Sequence, residues 1–263
     1  MDFYIQSSIH VALSCYALVR MTHHMFHIPE KEPMAYFVFF GTIVGYNFVK
    51  YEALVRIQKT QMRKGLKAIV LLSLGSSLAV GFYFFQLQRI TQIISIAFLG
   101  ITLLYTLPFF PNRKNARNWA GIKIYIVALC WVGVTLVLPL LEAGIPITFD
   151  FYLKCVQRFL LVFILILIFE ILDLKNDDPF LKTVPQQIGV KRTKIVGLLL
   201  LIPFYFLEFL KTNFDNKQLV VNLVLVLMLS LFLAFANEKR SKYYTSFWVE
   251  SVPILWWLMV LVF

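Results

Sequence analysis

Charge is scarce in this chain, and negative charge is scarcest: Asp and Glu number 14 in 263 residues, and all charged types make up 15%. Soluble domains carry about a quarter charged residues. Set against 60% apolar and 16% aromatic residues, that shortage excludes an ordinary water-soluble globule, whose core could not bury so much apolar surface. Cysteine is nearly missing too. Cys15, Cys130 and Cys155 all fall inside apolar stretches, where a thiol behaves as a small hydrophobe, so no disulfide framework is expected. The amino terminus lacks a basic run of the kind that opens a cleaved signal, and Ala12-Leu13-Ser14-Cys15 is a poor lipoprotein box. The first apolar stretch is therefore expected to be retained.

What is present is a series of apolar stretches about 20 residues long, the length that crosses some 30 Å of hydrocarbon. Nine are expected, over residues 3–21, 34–53, 66–87, 90–110, 119–140, 152–173, 193–212, 218–237 and 244–263. The segments between them are too short to fold separately. The expectation is one all-helical integral membrane domain over residues 1–263, a polytopic protein of nine transmembrane helices around a central cavity.

The net charge of +11 is unevenly placed. Arg56, Lys59, Arg63, Lys64 and Lys67 follow the second stretch, and Arg113, Lys114, Arg117 and Lys123 follow the fourth. Lys175, Lys182, Lys191, Arg192 and Lys194 follow the sixth, and Lys239, Arg240 and Lys242 the eighth. Lys and Arg concentrate in cytoplasmic loops. The even-numbered loops and the N-terminus are accordingly placed in the cytoplasm, in a membrane expected to be a bacterial inner membrane. These cations also suit anionic lipid headgroups or, as an electropositive rim, a bound polyanion. No nucleic-acid partner is expected.

The few acids are the informative residues. Glu170, Asp173 and Asp177 close the sixth stretch, and their spacing of three and then four residues puts them on one helix face. A charge at a helix centre in hydrocarbon costs about 2.5–3.5 kcal/mol, so acids there tend to hold an ion, a substrate or each other. Glu170 lies deepest, directly after the unbroken apolar run 159–169. Asp173 and Asp177 suit a divalent cation that keeps several waters and completes its shell with phosphate oxygens, and Lys182 could meet the same phosphates. A solvated loop of mutually neutralising charges is the plainer reading.

Asn47 sits in Gly45-Tyr46-Asn47-Phe48-Val49-Lys50-Tyr51-Glu52 at the cytoplasmic end of the second stretch. Taken alone it is an ordinary polar helix end. Tyr105, with Arg113, Lys114 and Arg117 after it, forms a third cluster on the same side, where aromatic and guanidinium groups could anchor a diphosphate. His23, His24 and His27 make a weak metal signal. Arg158 is read as snorkelling or pairing with a nearby acid, and Glu208 and Glu250 as packing partners.

In its order of features the chain resembles the UbiA superfamily of intramembrane prenyltransferases, nearly from end to end. The carriers are the nine stretches, the Asn-led patch after the second, Tyr105 with its basic loop after the fourth, and the Asp-rich patch with Lys-Thr-x-Pro after the sixth. The resemblance implies two acidic motifs facing each other across a cytoplasm-side cavity, holding Mg2+ and an isoprenyl diphosphate whose allylic group passes to a lipophilic or aromatic acceptor. Asp173-Leu174-Lys175-Asn176-Asp177 fits the second motif, D-x-x-x-D, and Thr183 with Pro185 fits the Thr-x-Pro beyond it. By this resemblance Glu170, Asp173, Asp177 and Asp178 hold the metal with Asn47 and Glu52. Asn47, Arg63, Arg113, Lys114, Arg117 and Lys182 bind the diphosphate, while Tyr105 steadies the allylic cation.

The first motif departs from N-D-x-x-D-x-x-x-D, because Phe48, Tyr51 and Val55 stand where Asp is expected and Glu52 is one place out of register. On a helix that turns Glu52 by about 100°. Either Lys50 replaces a bound ion with its own positive charge, or the chain keeps the fold as an inactive protein that binds isoprenoid lipid. A small transporter using Glu170 and Asp173 is the remaining reading, but neither an internal repeat nor midplane helix breaks are evident in the sequence.

Overall fold

The computed structural model describes residues 1–29, 32–57, 64–106, 121–212 and 216–262. Its α-helices, in chain order, are α1 (Asp2–Gln6), α2 (Ile9–Met25), α3 (Glu32–Ile57), α4 (Lys64–Phe84), α5 (Arg89–Thr106), α6 (Lys123–Val132), α7 (Leu138–Ala143), α8 (Phe149–Asp173), α9 (Val184–Ile188), α10 (Val190–Phe206), α11 (Asn216–Phe235) and α12 (Val252–Val262). No strand occurs among the described residues. That suits hydrocarbon, where backbone polar groups find no water and must pair within their own segment.

Six helical stretches among the described residues are long and apolar enough to cross a membrane: Gly65–Phe84, Lys123–Ala143, Phe149–Asp173, Val190–Leu210, Asn216–Phe235 and Tyr244–Val262. The chain is an integral membrane protein. The expected count of nine is not reached on length and composition. One reason is local: the first apolar stretch is cut at Ser7 and Ser8, which leaves α2 as 17 residues.

The backbone falls into two compact units, Met1–Thr102 with Val134–Ile145, and Leu103–Gly133 with Pro146–Phe263. In the first, α2, α3 and α4 pack side by side. Tyr83 of α4 stacks on Tyr36 and Phe40 of α3, with ring centroids 5.5 and 6.2 Å apart. The break before α2 holds Ser8 in a left-handed conformation, φ 62°, and interrupts the helical hydrogen-bond ladder. Side chains of α3 reach the carbonyls at this break, of which that of Ile5 also accepts the Ser8 N–H at 3.2 Å. Asn47 Nδ2 donates to Ser7 at 3.0 Å, Tyr51 Oη to Gln6 at 2.8 Å, and Lys50 Nζ to Ile5 at 3.4 Å. A second repair of this kind occurs at the π-helical turn Gly133–Val137. Pro139 has no N–H to give the carbonyl of Thr135, and the Thr22 hydroxyl of α2 donates to it at 2.7 Å.

In the second unit α8 is central, packed against both α6 and α10. Leu161, Ile164, Leu167, Ile168 and Ile171 are fully enclosed, which is why this helix reads as apolar almost all round. Gly197 lets α10 approach α11 closely, since a Cβ at this position would stand 2.8 Å from a Leu233 methyl. Glu208, wholly buried, accepts from Lys154 at 2.6 Å, Lys211 at 3.0 Å, Asn222 at 3.1 Å and Gln157 at 3.2 Å. This network joins α8 to the end of α10 and to α11. It makes Glu208 the packing partner expected from the sequence, and Arg158, one residue beyond Gln157, lies 5.6 Å over the Trp256 ring.

Candidate functional site

The end of α8 carries the acids. Glu170 is 3% exposed, Asp173 is exposed and Asp177 half-buried. The N–H groups of Asn176 and Asp177 both return to the Asp173 carbonyl, at 2.8 and 2.9 Å. The chain thus turns immediately after α8 instead of running on into solvent. Glu170, Asp173 and Asp177 lie within electrostatic reach of one another, and Lys123 at the start of α6 acts on Glu170 and Asp173.

The returning loop is tied down at several points. Asp178 Oδ1 accepts the Phe180 N–H at 2.9 Å and caps the 3-10 turn Pro179–Leu181. The Gly121 N–H donates to Leu181 at 3.1 Å, with Gly121 at φ 74°, a left-handed conformation that glycine adopts without strain. Thr183 stands at the N-cap of α9, with Pro185 in its first turn. Gln186, three residues past Thr183, accepts the Thr183 N–H through Oε1 at 2.9 Å, and its Nε2 donates to the Asp178 carbonyl at 3.2 Å. Glu170 Oε2 accepts the Val184 N–H at 3.1 Å. The Val184 side chain meanwhile packs on the apolar cluster of Ile124, Phe163 and Leu167.

One buried carboxylate oxygen is left over. Asp177 Oδ2 is buried and has no hydrogen-bond partner, which is costly for a carboxylate oxygen unless a ligand completes it. Of the five acids expected to hold a cation, four lie at or just after the end of α8: Glu170 and Asp178 each spend an oxygen on a backbone N–H, while Asp173 and Asp177 do not. The arrangement fits a hydrated Mg2+, which takes one or two carboxylates and fills its shell with water and phosphate oxygens. Among the described residues no three of His, Cys, Asp or Glu group as a metal cage.

In the first unit, Asn47 is 3% exposed, and its Nδ2 donates to Ser73 Oγ at 3.0 Å as well as to the Ser7 carbonyl. Both partners accept at these contacts, so the amide orientation is set and Oδ1 faces the other way. That oxygen is buried without a partner. Lys50 and Tyr51 are exposed and half-buried respectively, and hold the Ile5 and Gln6 carbonyls. Lys182 is exposed, at φ 47°. Arg63, Arg113, Lys114 and Arg117 lie outside the described residues, as do the side chains of Glu52 and Tyr105.

Two participants were missed in the sequence. Gln186 carried a readable signal, because Thr183-Val184-Pro185-Gln186 has the spacing in which a side chain reaches back to the N-cap. Lys123 had only its position at the mouth of an apolar stretch, which any topology-setting lysine shares.

No protein-family model matches the chain, and no curated protein matches it by sequence. Solved structures do. The apo structure of a UbiA homologue from Aeropyrum pernix K1 matches with a TM-score of 0.71 at 15% identity, covering 97% of this chain and 98% of the other. A UbiA homologue from Archaeoglobus fulgidus bound to Cd2+ matches with a TM-score of 0.62 at 12% identity, covering 98% and 97%. The chain therefore has the fold of these UbiA homologues along nearly its whole length.

Proposed function

We propose that this chain is a divergent member of the UbiA superfamily and transfers an isoprenyl group from an isoprenyl diphosphate to a lipophilic or aromatic acceptor. The observation that carries the reading is the Asp173/Asp177 pair at the end of α8, with Asp177 Oδ2 enclosed and unpartnered, in a chain of UbiA fold. The Cd2+ bound by the Archaeoglobus fulgidus homologue supports a divalent cation in a protein of this fold. Asp173 and Asp177 would hold Mg2+, and Asn47 Oδ1, with Glu52, is proposed for the same chemistry.

Mg2+, when bound, offsets the charge of the diphosphate and eases its departure. The allylic C–O bond breaks with its electron pair leaving on the diphosphate. The acceptor then forms the new bond to the allylic carbon and loses a proton. Lys182, Arg63, Arg113, Lys114 and Arg117 are proposed to bind the diphosphate, as compact or forked cations suit phosphate oxygens. Tyr105 would face the allylic cation. Lys50 would stand in for a missing carboxylate-bound ion by presenting fixed positive charge. The protein is proposed to lie in a bacterial inner membrane with its N-terminus in the cytoplasm.

The test is to incubate membranes holding the protein with isoprenyl diphosphates and measure diphosphate release. Release that requires both Mg2+ and Asp173 supports transfer; release unaffected by Asp173→Asn refutes it. A second reading, binding of isoprenoid lipid without transfer, is favoured by the use of Asn47, Lys50 and Tyr51 to hold the N-terminal break. Saturable binding of an isoprenyl diphosphate with no release supports that reading.

A further inference from the structure

Glu170 is the most deeply buried of the acids at the end of α8, yet its Oε2 is committed to the Val184 N–H at 3.1 Å. That N–H belongs to the first residue of α9, where the backbone has no partner within the helix. From this contact we infer that Glu170 is a positioning residue: it fixes the returning loop, and through it Lys182 and Asp177, without itself holding the cation. The inference rests on the diphosphate reading above and assigns Glu170 a part in it that differs from its neighbours'.

Three observations support it. Glu170 and Asp173 are one turn apart on α8, so an anchor at Glu170 sets the loop relative to the Asp173 carboxylate. Val184 is held from two sides, by its N–H on Glu170 and by its side chain on Ile124, Phe163 and Leu167. Gln186 then carries the restraint back along the loop, accepting from Thr183 and donating to the carbonyl of Asp178, next to Asp177. Lys182 lies between these two ties in a left-handed conformation, φ 47°. A non-glycine residue persists there only where its surroundings over-determine it.

The chemistry separates anchor from ligand. A Gln at 170 still presents a carbonyl oxygen to the Val184 N–H but supplies no negative charge to a metal. Glu170→Gln is expected to retain the Mg2+ dependence of the wild type and at least about half its diphosphate release. Glu170→Ala is expected to lower release on the order of 10- to 100-fold, the range for losing a hydrogen bond to a charged group. Val184→Pro removes the donor at a position where proline is tolerated. It should reproduce the Glu170→Ala loss and add little to it in the double variant.

Amide exchange at Val184 in the detergent-purified protein, with no substrate present, reads the anchor directly. Fast exchange in Glu170→Ala with protection kept in Glu170→Gln supports the inference. Unchanged protection in Glu170→Ala overturns it, as does a Glu170→Gln variant that needs far more Mg2+ than the wild type. Because exchange needs no turnover, a wild type that releases no diphosphate would sink the transferase reading while the exchange result still decides the role of Glu170.

Discussion

Asn47 Nδ2 lies 3.0 Å from the Ser7 carbonyl, so the only residue kept from the first motif supports a helix break forty positions earlier in the chain. The same contact turns Asn47 Oδ1 away from that break, into a buried position without a partner. Asn47→Asp is expected to loosen the first unit, since a carboxylate cannot donate to Ser7 or Ser73. Thermal inactivation in detergent should come several degrees earlier. Asn47→Ala should also lower diphosphate release at least ~10-fold if Oδ1 serves the ligand. A stability loss with release intact would confine Asn47 to structure.

Tyr51 tests the same clamp without touching that oxygen. Its hydroxyl donates to the Gln6 carbonyl at 2.8 Å, and a typical hydrogen bond contributes about 1 kcal/mol. Tyr51→Phe should therefore raise protease cleavage within residues 1–8 about fivefold, with diphosphate release nearly unchanged. Lys50→Ala, by contrast, should cut release if the ammonium meets the diphosphate, and turnover undiminished in that variant would remove Lys50 from the chemistry.

The Asp173/Asp177 pair predicts a strict divalent requirement. Chelation with EDTA should abolish diphosphate release, and restored Mg2+ should recover it. Asp177→Asn should shift the Mg2+ titration to higher concentration, because the substitution removes one of the two carboxylates not already tied to a backbone N–H. An unshifted titration would place the cation elsewhere.

Glu208 is expected to matter for stability alone. It offsets Lys154, which is 4% exposed and 2.6 Å away, and also holds Gln157, Asn222 and Lys211. Removing one partner of a buried pair leaves the other charge uncompensated, at a cost of about 3–5 kcal/mol. Glu208→Ala should denature well below the wild type, while the double variant Glu208→Leu with Lys154→Met should recover much of the loss. Equal damage in the single and double variants would argue against the charge pair as the cause.

Gly197 offers a packing test in the same unit. Its missing Cβ leaves room for Leu233, which a methyl would meet at 2.8 Å. Gly197→Leu should destabilise by roughly 1–3 kcal/mol through overpacking. Gly197→Ala should cost far less, because the obstructing atoms are the mobile end of a leucine. A denaturation midpoint that does not move in Gly197→Leu would mean α10 and α11 separate freely here.

Glu170 and Asp173 were readable in the sequence because carboxylates next to an apolar run are costly and a spacing of three specifies one helix face. Asp177 was expected on that face too, but α8 ends at Asp173 and Asp177 is reached through the turn after it. The helical class followed from the same apolarity, since hydrocarbon allows few backbone solutions. The cut at Ser7 and Ser8 was not readable. Neither serine breaks the hydropathy of the first stretch, and the carbonyls of Ser7 and Gln6 there accept from Asn47 and Tyr51, far along the chain.

The roles of the acids divide in the same way. Sequence by itself determined that this is a helical membrane protein with acids gathered at the end of its sixth apolar stretch, because both are local properties of composition. Only the tertiary structure decided which of their oxygens are occupied. Glu170 and Asp178 are claimed by backbone N–H groups of the returning loop and Asp177 Oδ2 is not. A hydrogen-bond partner is chosen by where the chain comes back, and the spacing of residues along one helix does not contain that information.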